Sequence, residues 1–200
     1  MTDALLEPLW QGLKATSAIE WVAVVTGFAY ALLIMLRRRI GWVFGAVSSL
    51  ILALLAARAR LPMQALLQLS YVGAAVYGWW SWSRSSAQPV IRWWHWRGHA
   101  IGISACLLVS LLLAQLLKDE SAFPFIDSLA ACVGLLATWL LARVYLENWL
   151  YWIAIDAVSI YLFFTQGLVS TAVLYVLYFS IAVIGFFGWR RDWQKAQAGL

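Results

Sequence analysis

The chain has 200 residues, of which 64% are hydrophobic and only 12% are charged. Soluble domains contain about 45–50% apolar and about 25% charged residues, so this composition excludes an ordinary globular domain and predicts a polytopic membrane protein. The net charge of +5 comes from basic residues spread over short loops. That distribution is typical of membrane topology and does not indicate binding to nucleic acid.

The first seventeen residues lack the basic n-region of a cleavable signal, and no small-residue cleavage site follows them. We interpret residues 1–17 as a short segment lying in the membrane interface. Seven stretches after it are each about 17–22 residues long and apolar enough to cross the hydrocarbon core. In chain order they are Ala18–Leu36, Ile40–Ala57, Pro62–Trp82, Ala100–Leu117, Phe125–Ala142, Glu147–Phe164 and Val169–Gly188. The expected fold is therefore an all-α integral membrane protein with seven transmembrane helices.

The connection between the third and fourth stretches contains IRWWHWR, in which tryptophans alternate with basic residues. We interpret it as a belt at headgroup level that includes His95 and His99. Cys106 and Cys132 lie in apolar runs and are interpreted as small core residues. The sequence predicts no cofactor and no metal site.

Lys and Arg residues divide unequally between the two sides that seven spans define. One side carries four of the fourteen, namely Lys14, Arg58, Arg60 and Lys118, and the other side carries ten. Because cytoplasmic loops are enriched in Lys and Arg, the ten-charge side is predicted to be cytoplasmic. The N-terminus is then outside and the C-terminus is cytoplasmic.

The chain aligns with itself when it is shifted by 107 residues, without a gap over about 65 residues. The matching pairs are Gly27 with Gly134, Trp42 with Trp149, Tyr71 with Tyr178, Gly78 with Gly185, Trp82 with Trp189 and Arg84 with Arg191. The alignment predicts two parallel three-helix repeats, residues 18–82 and 125–189, related by an axis along the membrane normal. Residues 83–124 supply a loop and a connector helix, and residues 190–200 form a cytoplasmic tail.

The sixth stretch carries a carboxylate, Asp156, near its middle. An ionisable group at bilayer depth costs about 2.5–3.5 kcal/mol on insertion scales, so it normally faces protein or a water-filled path. One helical face collects Asn148, Trp152, Asp156, Ser159 and Phe163. This polar stripe with aromatic flanks indicates a site for a small polar solute that contains a ring. In the first repeat, Ser49 stands at the position equivalent to Asp156.

Four segments, LLQLSYVGAAVYGWWSWSR, FPFIDS, ENWLYWIAIDAVSIYLF and IGFFGWRR, closely resemble the PnuC family of bacterial nicotinamide riboside transporters. The resemblance extends roughly from Glu20 to Trp193. It implies a SWEET-like fold of three plus one plus three helices in the bacterial inner membrane. It also implies that a vitamin precursor enters by facilitated diffusion and is trapped through phosphorylation by a separate cytoplasmic kinase.

The resemblance also implies a substrate site built from Gln68, Asn148, Trp149, Trp152, Asp156 and tyrosines of the seventh span. The stripe and the repeat add Ser159, Ser49, Tyr175 and Tyr178. Trp79 and Trp82 lie near the cytoplasmic end of the third span, where they either anchor the helix in the interface or form a gate. Asp156 either faces the charge of the substrate or ties neighbouring helices together.

Thiamine is the main alternative substrate, since both vitamins carry a permanent charge on an aromatic ring. An indole face attracts such a cation by up to about 2 kcal/mol when water is excluded. A membrane enzyme is a second alternative, but the chain has no HExxH motif and no phosphate-binding glycine loop. An assembly protein without a substrate is a third. The sequence leaves open whether the chain forms a homo-oligomer.

Overall fold

The computed structural model describes residues 7, 10–12, 14–84, 89–116, 118 and 123–199, which contain seven α-helices of 18 residues or more. In chain order the helices are α1 Ala18–Met35, α2 Gly41–Arg58, α3 Pro62–Ser83, α4 Trp96–Leu116, α5 Pro124–Ala142, α6 Asn148–Thr165 and α7 Val169–Gln197. Most of the predicted interfacial segment, residues 1–17, lies outside the described residues, although residues 10–12, 14 and 15 are helical.

Helix starts follow from local sequence signals. Ser17 caps α1 in a capping box, in which its backbone N–H donates to the Glu20 carboxylate at 2.6 Å. Pro62 and Pro124 open α3 and α5, where the missing N–H of proline costs nothing. The turns contain left-handed residues, namely Arg37, Arg60, Val144 and Gly167.

The helix bounds of the second half follow those of the first at the 107-residue shift. That shift carries α2, Gly41–Arg58, onto α6, Asn148–Thr165, and it carries the left-handed pair Arg37 and Arg60 onto Val144 and Gly167. A left-handed non-glycine residue costs about 1–2 kcal/mol, so these turns are imposed by the helices that they join. The two halves therefore share backbone geometry as well as sequence.

Reciprocal hydrogen bonds join the two halves. The indole N–H of Trp82 donates to the carbonyl of Ala142 at 3.2 Å, and that of Trp189 donates to the carbonyl of Met35 at 2.8 Å. Donors and acceptors are both 107 residues apart. Within each half, Trp82 lies edge-on to Trp42 at 5.5 Å between ring centroids, and Trp189 lies edge-on to Trp149 at 5.4 Å. These buried tryptophans form the core at one end of the bundle.

The helices pack in two groups of three, with α1, α2 and α3 in one and α5, α6 and α7 in the other. Contacts between α1 and α7 and between α3 and α5 close the bundle, while α4 packs against α5 alone among the described helices. The outward faces are apolar, as at Ile101 and Leu116, which are 71% and 73% exposed. Such surfaces suit contact with lipid.

Six of the seven helices are long and apolar enough to cross a membrane. The exception among the described helices is α3, which has 22 residues and no charge but contains glutamines, serines, tyrosines and tryptophans. Two helices also extend past their predicted limits. Helix α4 begins at Trp96 rather than Ala100, and α7 continues to Gln197 beyond Gly188.

The IRWWHWR loop is more than the superficial belt that the sequence predicts. The N–H of Arg92 donates to the carbonyl of Val144 at 3.0 Å, and the N–H of Leu146 donates to the carbonyl of Arg92 at 2.8 Å. These bonds fasten the loop to the turn between α5 and α6. Ile91 is buried there, and His99 belongs to the first turns of α4.

Candidate functional site

Three neighbouring cavities lie between the two groups of helices, and Tyr71 and Trp152 line all of them. The central cavity, of about 250 Å³, is lined by Asp156, Trp149 and Tyr178 among others. The side cavity, of about 150 Å³, is lined by Trp42, Gly45, Ser49 and Thr138. The vestibule, of about 480 Å³, is lined by Gln68, Asp127, Ser159 and Phe163.

Asp156 supplies the one carboxylate among the described residues that line the central cavity, and its side chain is buried. Among the described residues, no Lys, Arg or His forms an ion pair with it. A buried carboxylate without a compensating cation is costly, because it has lost the water that would solvate its charge. A positively charged solute in this cavity would offset that cost, as would protonation of the carboxylate.

Aromatic side chains from both halves enclose the cavities. Tyr30 of α1 and Trp152 of α6 each line the central and the side cavity. Tyr30 fits because Gly45 faces its ring: a Cβ added at Gly45 would lie 2.7 Å from that ring. In the second half the sizes are exchanged, with Ala137 at the position of Tyr30 and Trp152 at the position of Gly45. Tyr30 was missed from the sequence, although the self-alignment contains this exchange.

Two tyrosines each contact a glycine of the other half of the chain. The hydroxyl of Tyr71 lies where a Cβ would stand at Gly134, and a Cβ at Gly27 would lie 3.0 Å from the hydroxyl of Tyr178. The glycines are 107 residues apart, and so are the tyrosines. Small residues at these positions let each tyrosine hydroxyl reach the centre of the bundle.

The vestibule brings together other predicted residues. Gln68 of α3 and Ser159 of α6 line it, and Tyr175 lies between the vestibule and the central cavity. The ring of Tyr175 stacks on Phe163, with 5.2 Å between centroids and an interplanar angle of 24°. Tyr71, Trp152 and Tyr175 thus form the partition between the vestibule and the central cavity.

Of the remaining predicted site residues, some line a cavity and others do not. Ser49 lines the side cavity and Trp149 lines the central cavity. Asn148 is fully buried outside all three cavities, and its amide donates to the carbonyl of Tyr145 at 2.7 Å. Neither Trp79 nor Trp82 lines a cavity of this group. The guanidinium of Arg39 covers Trp79 at 4.1 Å, and Trp82 holds the bond to Ala142 described above.

A polar cluster at the start of α6 was also missed. Glu147 is 5% exposed, and its Oε1 accepts the N–H of Trp94 at 2.8 Å and lies 3.3 Å from Nε2 of His99. Nδ1 of His99 lies 2.8 Å from the hydroxyl of Tyr151. Glu147 directly precedes α6, but its side chain makes no capping bond and instead binds the loop and α4. No sequence pattern joins residues this far apart.

Within the described residues, no group of three or more His, Cys, Asp or Glu side chains could hold a metal ion. The site instead combines aromatic faces, hydroxyls and the carboxyl groups of Asp156 and Asp127 inside a helical membrane bundle. Transporters built from repeats hold small solutes between the two halves of such a bundle, so these features are typical of that class of membrane protein.

The chain belongs to the nicotinamide mononucleotide transporter family, whose model matches residues 17–191. It is 26% identical over 212 residues to the nicotinamide riboside transporter PnuC of Escherichia coli, covering 91% of this chain and 89% of that one. It is also 26% identical over 134 residues to the riboflavin/roseoflavin transporter RibM of Streptomyces davaonensis, covering 63% of this chain and 61% of that one.

A crystal structure of the vitamin B3 transporter PnuC has the same fold, with a TM-score of 0.72 and 22% identity over 96% of this chain and 90% of that one. The predicted PnuC family is confirmed. The family and these relatives are transporters, so the prediction that the chain is a transporter and not an enzyme is confirmed as well.

Proposed function

We propose that this protein imports nicotinamide riboside across a bacterial inner membrane by facilitated diffusion. The observation that carries the proposal is the central cavity, where buried Asp156 has no cationic partner in the part of the chain that the structure describes and lies among aromatic rings. Nicotinamide riboside carries a positive charge on its aromatic ring and hydroxyls on its sugar. The ring would face Asp156 and the indoles of Trp149 and Trp152, with cation–π attraction of up to about 2 kcal/mol per favourable contact.

Charge complementarity separates this substrate from the other candidates. A nucleotide would add a phosphate, yet none of the residues described as lining the three cavities is Lys, Arg or His. Riboflavin, which the relative RibM carries, has no permanent charge for Asp156 to balance. Thiamine shares the cationic ring and stays the second candidate, because Asp156 alone does not distinguish it from nicotinamide riboside.

We infer seven transmembrane helices arranged as three plus one plus three. The coincidence of α1–α3 with α5–α7 at the 107-residue shift supports this arrangement. Helix α3 would be the seventh span. Its polar composition is explained if Gln68 and Tyr71 face the cavities, while Leu66 and Val76, which are 57% and 63% exposed, face lipid.

The distribution of basic residues supports an external N-terminus and a cytoplasmic C-terminus. With that orientation the vestibule opens outward, and the buried tryptophans Trp42, Trp82, Trp149 and Trp189 lie toward the cytoplasm. Gln68, Ser159 and Tyr175 would receive the substrate first. Asp156, Trp149, Trp152 and Tyr178 would hold it next, with Ser49 opposite. A cytoplasmic kinase would then trap it.

Counterflow in proteoliposomes tests the proposal. Vesicles that contain the purified full-length protein and unlabelled nicotinamide riboside should accumulate labelled riboside without any ion gradient. Protein-free vesicles are the control. Unlabelled thiamine, riboflavin and nicotinamide mononucleotide, added outside in turn, rank the competing substrates. Counterflow of thiamine without counterflow of nicotinamide riboside would identify thiamine as the substrate instead. If none of these compounds shows counterflow, the proposal is contradicted.

A further inference from the structure

The side cavity is the repeat counterpart of the central cavity. Four residues that line it, Trp42, Ser49, Tyr71 and Ala75, are carried by the 107-residue shift onto Trp149, Asp156, Tyr178 and Ala182, which all line the central cavity. The two cavities also share Tyr30, Tyr71 and Trp152. The protein therefore contains two half-sites on opposite sides of its repeat axis.

The polar groups of the two half-sites differ in charge. The central cavity has the carboxylate of Asp156, whereas the side cavity has the hydroxyls of Ser49 and Thr138 and no ionisable acid or base other than tyrosine. Thr138 stands where the other half has Ala31. Compared with the central cavity, the side cavity thus lacks the carboxylate and has the additional hydroxyl of Thr138. Neutral hydroxyls both donate and accept hydrogen bonds, which suits a ligand group of the same kind.

Buried hydrogen-bonding capacity in the side cavity is left unused. Trp42 is 1% exposed, and its indole N–H has no partner among the described residues. The hydroxyl of Thr138 is also buried, and it donates to the carbonyl of Gly134 at 2.8 Å, so its oxygen can still accept. An unsatisfied buried donor costs about 1–3 kcal/mol. The equivalent indole N–H of Trp149, in the central cavity, is also unpaired among the described residues. An oxygen atom of a ligand would satisfy either donor, and the 150 Å³ of the side cavity exceeds the roughly 30 Å³ that one water takes in the liquid.

We propose that the side cavity holds the hydroxyl-bearing part of the substrate, a pentose or similar polyol, while the central cavity holds the cationic ring. Ser49, Thr138 and Trp42 are then sugar-binding residues, and the substrate lies across the repeat axis between Tyr30 and Trp152. This inference rests on the proposed function, because it assumes a substrate with both parts. It adds Thr138, Trp42 and Tyr30 to the site and gives each half of the protein a separate task.

Binding calorimetry on the purified full-length protein tests the assignment with two ligands. Nicotinamide riboside has the ring and the sugar, and 1-methylnicotinamide has the same cationic ring without the sugar. Thr138→Val keeps the side-chain shape and removes the hydroxyl, and Ser49→Ala is a second, smaller change. Thr26→Val is the matched control, because Thr26 also bonds to a helix carbonyl, that of Val22, but lines none of the described cavities.

Thr138→Val and Ser49→Ala should each weaken riboside binding by roughly 3- to 10-fold, which corresponds to one lost neutral hydrogen bond. Both should leave the affinity for 1-methylnicotinamide unchanged, and Thr26→Val should change neither ligand. If the parent binds the riboside and both variants bind it equally well, the sugar assignment is wrong and the proposed function stands. Equal weakening of both ligands also overturns the assignment. A parent that binds no riboside overturns the proposed function and this inference with it.

Discussion

The two half-sites occupy equivalent places in the two halves of the chain and differ in their side chains. Around the central cavity, α6 contributes Trp152 and Asp156; around the side cavity, α2 contributes Gly45 and Ser49. The backbone, the turns and the bonds between the halves are kept in both. The comparison teaches that the repeat supplies a symmetric frame, and that a few substitutions inside it allow an asymmetric ligand to bind.

The largest expected effect is on the charged half-site. Asp156→Asn keeps the size of the side chain and removes its charge, so binding of nicotinamide riboside should weaken by roughly 10- to 100-fold, the scale of a lost interaction with a charged group. Calorimetry with the riboside measures the change. An affinity equal to that of the parent would mean that Asp156 joins helices and does not face the substrate.

The next expected effect concerns the exchange of side-chain sizes between the halves, in which Tyr30 and Gly45 correspond to Ala137 and Trp152. A Cβ at Gly45 would lie 2.7 Å from the ring of Tyr30, so Gly45→Ala should displace that ring and destabilise the protein by about 1–3 kcal/mol. Thermal unfolding in detergent measures the loss, and Tyr30→Ala in the same chain should relieve the clash. Gly73→Ala is the control, since no heavy atom lies within 4 Å of a Cβ there. A similar loss from both glycine variants would contradict this account.

The tyrosine contacts between the halves should be unequal. Gly134→Ala places a methyl group against the hydroxyl of Tyr71, whereas at Gly27 the nearest atoms, the hydroxyls of Tyr178 and Ser48, are 3.0 Å away. Gly134→Ala should therefore lower the unfolding temperature more than Gly27→Ala. Tyr71→Phe removes the clashing oxygen and should rescue Gly134→Ala. Failure of that rescue would show that the clash lies elsewhere.

The smallest effects should come from the reciprocal indole bonds. Trp82→Phe and Trp189→Phe each remove one hydrogen bond between the halves, worth about 0.5–1.5 kcal/mol, along with some packing. Unfolding of each variant should show similar losses, because the two bonds are equivalent in the repeat. A large loss of stability from only one of these substitutions would show that the two hydrogen bonds contribute unequally.

Much of the frame could be predicted from the sequence. Asp156 was recognised because a carboxylate in an apolar run is locally conspicuous, and Ser49, Tyr71 and Tyr178 followed from the self-alignment. Tyr30 and Thr138 were missed as cavity residues. Both lie in strongly apolar helices, in which few polar residues mark the face that lines a cavity. Asn148 shares the stripe of Asp156 but lines none of the three described cavities, and its contact with substrate stays a prediction.

The sequence by itself determined that this protein resides in a membrane, which stretches of the chain form its long helices, and that its two halves repeat. These properties follow from composition, capping and spacing along the chain, which are local quantities. Only the tertiary structure decided which side chains meet at the centre and how Glu147 joins His99 and Tyr151. A helix surrounded by lipid on one side and protein on the other is apolar on both, and packing alone selects the face that turns inward.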